Sequence, residues 1–72
     1  MSHRVRVLTL EDGRWTPSDE LTEKFTSEDE AMEYFMAMAD AGHSPELFEP
    51  GRKKLKLKWL PGPKEILDLT DI

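Results

Sequence analysis

Residue types that could carry chemistry are few in this chain, and their spacing limits them further. A nucleophilic serine needs an adjacent base and a third group to orient it. The serines are Ser2, Ser18, Ser27 and Ser44, and none reads as part of such a set. Ser27 stands three residues before Glu30, the spacing of a helix capping box. His43 follows a helix end and reads as a surface loop histidine. Glu28, Asp29, Glu30, Glu33 and Asp40 fall on a solvated helix face, without the apolar pocket that acid–base work by a carboxyl requires. The glycines, Gly13, Gly42, Gly51 and Gly62, are too scattered for a phosphate loop. There is no cysteine, and His3 and His43 are the only soft ligands, so a structural zinc is not expected. The chain therefore reads as non-enzymatic, with no catalytic residue, metal or cofactor.

Two stretches have the chemistry of contact surfaces. Lys54 to Leu60, KLKLKWL, alternates with a period of two. Leu55, Leu57 and Trp59 face one way, and Lys54, Lys56 and Lys58 face the other. Arg52 and Lys53 precede them, and Arg4 and Arg6 extend the basic patch if the first strand lies alongside. Such clusters bind phosphate backbones through counterion release. Binding single strands also needs aromatic faces for stacking, and Trp59 has the wrong parity. Lysines on an edge strand also guard against edge-to-edge aggregation. The second surface is a helix flank formed by Tyr34, Ala37 and Ala41, where small residues and a tyrosine suit close approach of a partner. The alanines serve equally as plain helix formers. The candidate partner-binding residues are Tyr34, Ala37, Ala41, Arg52, Lys54, Lys56 and Lys58.

The elements that must position these surfaces centre on Ser27 to Gly42, SEDEAMEYFMAMADAG. Acids fill the first turn and Gly42 follows the last periodic residue, which predicts one capped helix. Ala31, Met32, Phe35, Met38 and Ala39 form its apolar stripe, with Asp29, Glu33 and Asp40 opposite. Arg4 to Leu10, RVRVLTL, is the first strand, apolar on both faces for part of its length. Asp12-Gly13 predicts a type I′ hairpin setting Glu11 against Arg14 and Leu10 against Trp15. Pro17 shortens, bulges or interrupts the second strand. Residues 16–25 fit either a restarted strand or a short helix, and the strand is favoured because it runs into the capped helix. His43-Ser44-Pro45 reads as a polar link, Leu47-Phe48 as a short apolar segment and Pro50-Gly51 as a turn.

The predicted fold is α+β: a small antiparallel sheet, in the order β-β-α-β-β, with one helix packed on one face. Residues 1–63 form a single domain, and 64–72 form a tail that docks as a turn or strand or stays loose. The core would draw on Val5, Val7, Trp15, Phe25, Met32, Phe35, Met38, Phe48, Leu55, Leu57 and Trp59. A chain of 72 residues without disulfides has little core to rely on, so self-association is one expected source of stability. The first strand is one candidate edge for it, and the Tyr34 flank is the rival surface.

Net charge is −5, unevenly spread: residues 11–51 carry −10 and residues 52–64 carry +6. Opposed blocks on one small domain favour oriented contacts with charged partners. Neither a signal peptide nor a membrane-spanning run is evident, which points to a soluble, cytoplasmic protein that does not bind membranes. The tail residues Ile66-Leu67-Asp68-Leu69-Thr70-Asp71 resemble a SUMO-interacting motif, a resemblance that implies strand addition to a partner's sheet edge. The function expected is a small protein–protein interaction module, a regulator or accessory factor with an unidentified protein partner or a second copy of itself. The alternative is a nucleic-acid-associated protein using the Lys-rich strand 52–58.

Overall fold

The computed structural model describes residues 2–50 and 55–69. Strands β1 (His3–Glu11) and β2 (Arg14–Phe25) form the predicted hairpin. Asp12 and Gly13 take positive φ, 50° and 79°, as the turn requires. Glu11 pairs with Arg14 and Leu10 with Trp15. Residues 16–25 belong to β2, so the strand reading holds. Pro17 is tolerated because β2 is an edge of the sheet.

The register breaks between Val5, opposite Glu23, and Val7, opposite Ser18, so β2 bulges out here. Thr22 repairs the gap. Its hydroxyl accepts from the Val7 N–H at 3.2 Å and donates to the Ser18 carbonyl at 2.7 Å.

Helix α1 (Glu28–Asp40) starts at Ser27, whose Oγ accepts from the Glu30 N–H at 3.5 Å. Its end is a complete Schellman motif: His43 N–H donates to Met38, and Gly42 N–H to Ala39, with Gly42 at φ 91°. Ala31, Phe35 and Ala39 are buried, and Met32 and Met38 are half-buried. Asp29, Glu33 and Asp40 are exposed, as the stripe predicts.

The remaining strands are β3 (Ser44–Phe48), β4 (Leu55–Leu60) and β5 (Glu65–Asp68). The sheet order is β2-β1-β3-β4-β5, with every neighbour antiparallel and α1 packed on one face. This is the predicted α+β architecture, to which residues 65–68 of the tail add a fifth strand. Ser44 and Pro45, expected in a link, begin the central strand instead. Pro45 brings no N–H to the ladder, and the Trp59 carbonyl accepts from the Ser44 hydroxyl at 3.0 Å.

The core is Val5, Val7, Ala31, Phe35, Leu47 and Leu57, with Leu21, Phe25, Met32, Tyr34, Met38 and Trp59 packed against it. Two expected core residues, Trp15 and Leu55, lie outside the core, and Phe48 is buried apart from this cluster. Trp15 stands opposite Leu10, whose parity in β1 turns it away from the helix. Phe48 is buried, but on the face opposite the helix. Leu55 is outside the core because β4 carries a bulge: Leu47 faces Leu57, but Phe48 faces Leu55. Lys56 is the extra residue, and it resets the alternation.

Candidate interaction surface

Alternation along β1 turns Val5 and Val7 toward α1 and leaves Arg4, Arg6, Leu8 and Leu10 on the other face. Across the ladder to β3, Arg4 meets Phe48 and Arg6 meets Glu46. Among the described residues no element covers this face. Glu46 is nevertheless only 4% exposed and Phe48 6%. Long side chains from the neighbouring strands account for both.

Glu46 is held from two sides. Arg6 Nε donates to Oε1 at 2.7 Å, and its Nη2 lies 2.6 Å from the same oxygen. Lys58 Nζ donates to Oε2 at 2.9 Å from β4. Charge-assisted bonds to both oxygens make burial of this carboxylate tolerable. Phe48 is roofed by cations: the Arg4 guanidinium lies 4.4 Å from the ring centroid and that of Arg6 5.1 Å.

The basic strand is arranged differently from its sequence pattern. Lys58 lies on the uncovered face with Glu46. The bulge sends Lys56 to the helix N-terminus, where its Nζ is 2.8 Å from Glu28 Oε1 and 3.8 Å from Glu49 Oε1. The two lysines therefore do not share a face. The Lys56 hydrogen bond, and then its charge, hold the Glu28 carboxyl below its usual value. The same bond raises the Lys56 ammonium above its own. Arg52 and Lys54 lie outside the described residues. Strand β4 is not an edge, since β3 and β5 flank it, so its lysines are not edge guards. Arg4 and Arg6 lie one strand removed from β4, and Arg6 meets Lys58 only through Glu46.

On the helix flank, Tyr34 is half-buried. Its hydroxyl donates to the Leu21 carbonyl at 2.6 Å, and its ring centroid lies 5.2 Å from that of Phe25. Burial, and then the nearby Glu23 charge, push its phenol above the usual value. Tyr34 thus ties the β2 bulge to α1. Ala37 and Ala41 are exposed, and Ala41 is the C-cap. With Phe25, Glu30 and Glu33, Tyr34 and Ala37 line an open groove. A second concavity of about 420 Å³ lies between the end of α1 and the β4–β5 turn, with Met36, Trp59 and Pro61 in its wall.

Sequence reasoning missed Glu46, and it placed Phe48 in the core without foreseeing the arginines over it. The available signal was a lone acid next to an apolar pair, Glu46-Leu47-Phe48, which suits a central strand. Ile66, Leu67 and Asp68, part of the segment that resembles a SUMO-interacting motif, lie in β5, already paired with β4. Among the described residues no three metal-ligating side chains are grouped, and no helix is long and apolar enough to cross a membrane. No family model, curated protein or solved structure matches this chain.

Proposed function

We propose that this chain is a non-enzymatic protein–protein interaction module, a regulator or accessory factor that engages its partner with the uncovered sheet face. The observation carrying this reading is the cross-strand pair of Leu10 and Trp15, 57% and 39% exposed on a face that no described element covers. Large apolar side chains grouped in this way favour association. The nucleic-acid alternative has less support. Lys56 and Lys58 each hold an acid of their own chain, so phosphate would have to displace those acids.

A pull-down from the native host, with and without nuclease, tests the proposal. A specific protein retained after nuclease treatment supports it. Partners lost with nuclease favour the nucleic-acid reading and contradict it.

A second copy of the chain is a further partner under this reading. Both ladders of β1 are filled, by β2 and β3, so it cannot provide the edge expected of it. Strand β5, with Ile66 and Leu67 40% and 42% exposed, is the edge suited to pairing. Light scattering decides this: a mass above 8.3 kDa at high protein concentration supports self-association, and the mass of one chain removes it.

A further inference from the structure

We propose that the uncovered sheet face docks an acidic, amphipathic peptide segment of a protein partner, with its carboxylates on Arg4 and Lys24 and its apolar side chains on Leu10 and Trp15. The inference rests on the protein-contact reading and adds the surface's polarity and the partner's chemistry. Arg4 and Lys24 stand directly opposite each other across β1 and β2. Both are exposed, and neither makes an ion pair among the described residues. Arg4 holds its guanidinium over Phe48, so it and Lys24 can each take a carboxylate on this face. Arg6, the next cation along the strand, is already committed to Glu46. An outside carboxylate therefore meets Arg4 and Lys24, beside the buried ring of Phe48.

Along β1 the same face then turns apolar: Leu8 lies opposite Pro17, and Leu10 opposite Trp15. From Arg4 to Leu10 the strand runs about 20 Å at roughly 3.3 Å per residue. A helical peptide of about 14 residues spans the same length. The matching ligand has acids at one end and apolar side chains along the rest.

Charge and shape favour this occupant over two others. Single-stranded nucleic acid needs cations along its whole path and free aromatic faces. Among the described residues the unpaired cations of this face sit at one end, leucines come next, and Phe48 is already roofed by arginines. A second copy stacked through this face would set Arg4 and Lys24 against cations or leucines, and neither arrangement is complementary.

Random peptides of about 14 residues, displayed on phage and selected against the full chain, test the inference. Enriched sequences should carry Asp or Glu clustered at one end of an apolar stretch. A synthetic peptide of the leading sequence should shift the side-chain NMR signals of Leu10 and Trp15. The double variant Arg4→Gln/Lys24→Gln should weaken its binding about tenfold, the scale of two exposed charge pairs. Trp15→Ala should weaken it as well, and thermal melts check that both variants remain folded. The inference is overturned if nothing is enriched, if enriched peptides lack acids, or if the variants bind as tightly as wild type. Oligothymidylate binding more tightly than the peptide, and weakened by the same substitutions, would assign the face to nucleic acid. Peptides that shift only α1 or β5 signals would sink this surface while leaving the protein-contact reading standing. That reading falls on its own evidence, if nuclease removes every partner.

Discussion

Glu46 and its two cations are unequal partners. The carboxylate is buried, whereas Arg6 and Lys58 keep side-chain exposures of 40% and 34% and can turn to water. Removing both cations strands a buried charge, which costs roughly 3–5 kcal/mol. Removing the carboxylate strands two groups that solvent can reach. Arg6→Met/Lys58→Met should therefore destabilise more than Glu46→Leu in denaturant melts, and the reverse order would contradict this account of the cluster. Tyr34 offers a spectroscopic test, being the only tyrosine in the chain. Its phenol is held above the ordinary 10.0 in the folded state. The folded protein thus keeps a proton that the unfolded chain gives up, so this contribution to stability is full below pH 10.0 and is lost as pH rises through the folded value. The tyrosinate absorbance of the folded protein should titrate above 10.0, and a midpoint at or below it would contradict the burial of the phenol beside Glu23. Neither role was legible in the sequence. Tyr34 fell on the helix flank by periodicity, but its acceptor, the Leu21 carbonyl, lies in a bulge that no pattern announces. Glu46 looked like one acid among many, because burial of a charge depends on which strands flank it.

At the scale of elements, the helix and first hairpin were legible because local rules agree there. The Ser27 cap, the apolar stripe, Gly42 and Asp12-Gly13 each act within a few residues. Phe35→Ala should cost about 3–5 kcal/mol, comparable to the whole stability of a domain this small. A thermal melt within a few degrees of wild type would show that the stripe does not make the core. The strand faces were only half legible. KLKLKWL alternates cleanly, but the bulge at Lys56 puts Lys56 and Lys58 on different faces, and a bulge is set by the partner strand. The β2 bulge hangs on Thr22. Thr22→Val leaves the Val7 N–H without its acceptor and the Ser18 carbonyl without its donor. The variant should lose about 1–3 kcal/mol by chemical denaturation, and a neutral result would mean that the bulge does not depend on the hydroxyl.

Over the whole molecule, charge and shape divide the chain into two unlike sides. The helix side presents Asp29, Glu30, Glu33 and Asp40 to solvent. The uncovered sheet side joins Arg4, Lys24 and the roof over Phe48 to the exposed Leu10 and Trp15. The charge runs hinted at such a division, but they located the basic side in the lysine strand. In the fold Lys56 and Lys58 are held by acids, and among the described residues the cations of the uncovered face without an ion pair are Arg4 and Lys24, far apart in sequence and joined only by the hairpin register. The most direct test is the footprint of the protein partner retained after nuclease treatment, read from the methyl signals of Leu8 and Leu10 and the indole signal of Trp15. These three should shift on addition of the partner while the signals of Met36, Ala37 and Ala41 on the helix stay in place. Shifts confined to the helix residues, with Leu8, Leu10 and Trp15 unmoved, would contradict the assignment of the uncovered sheet face as the interaction surface.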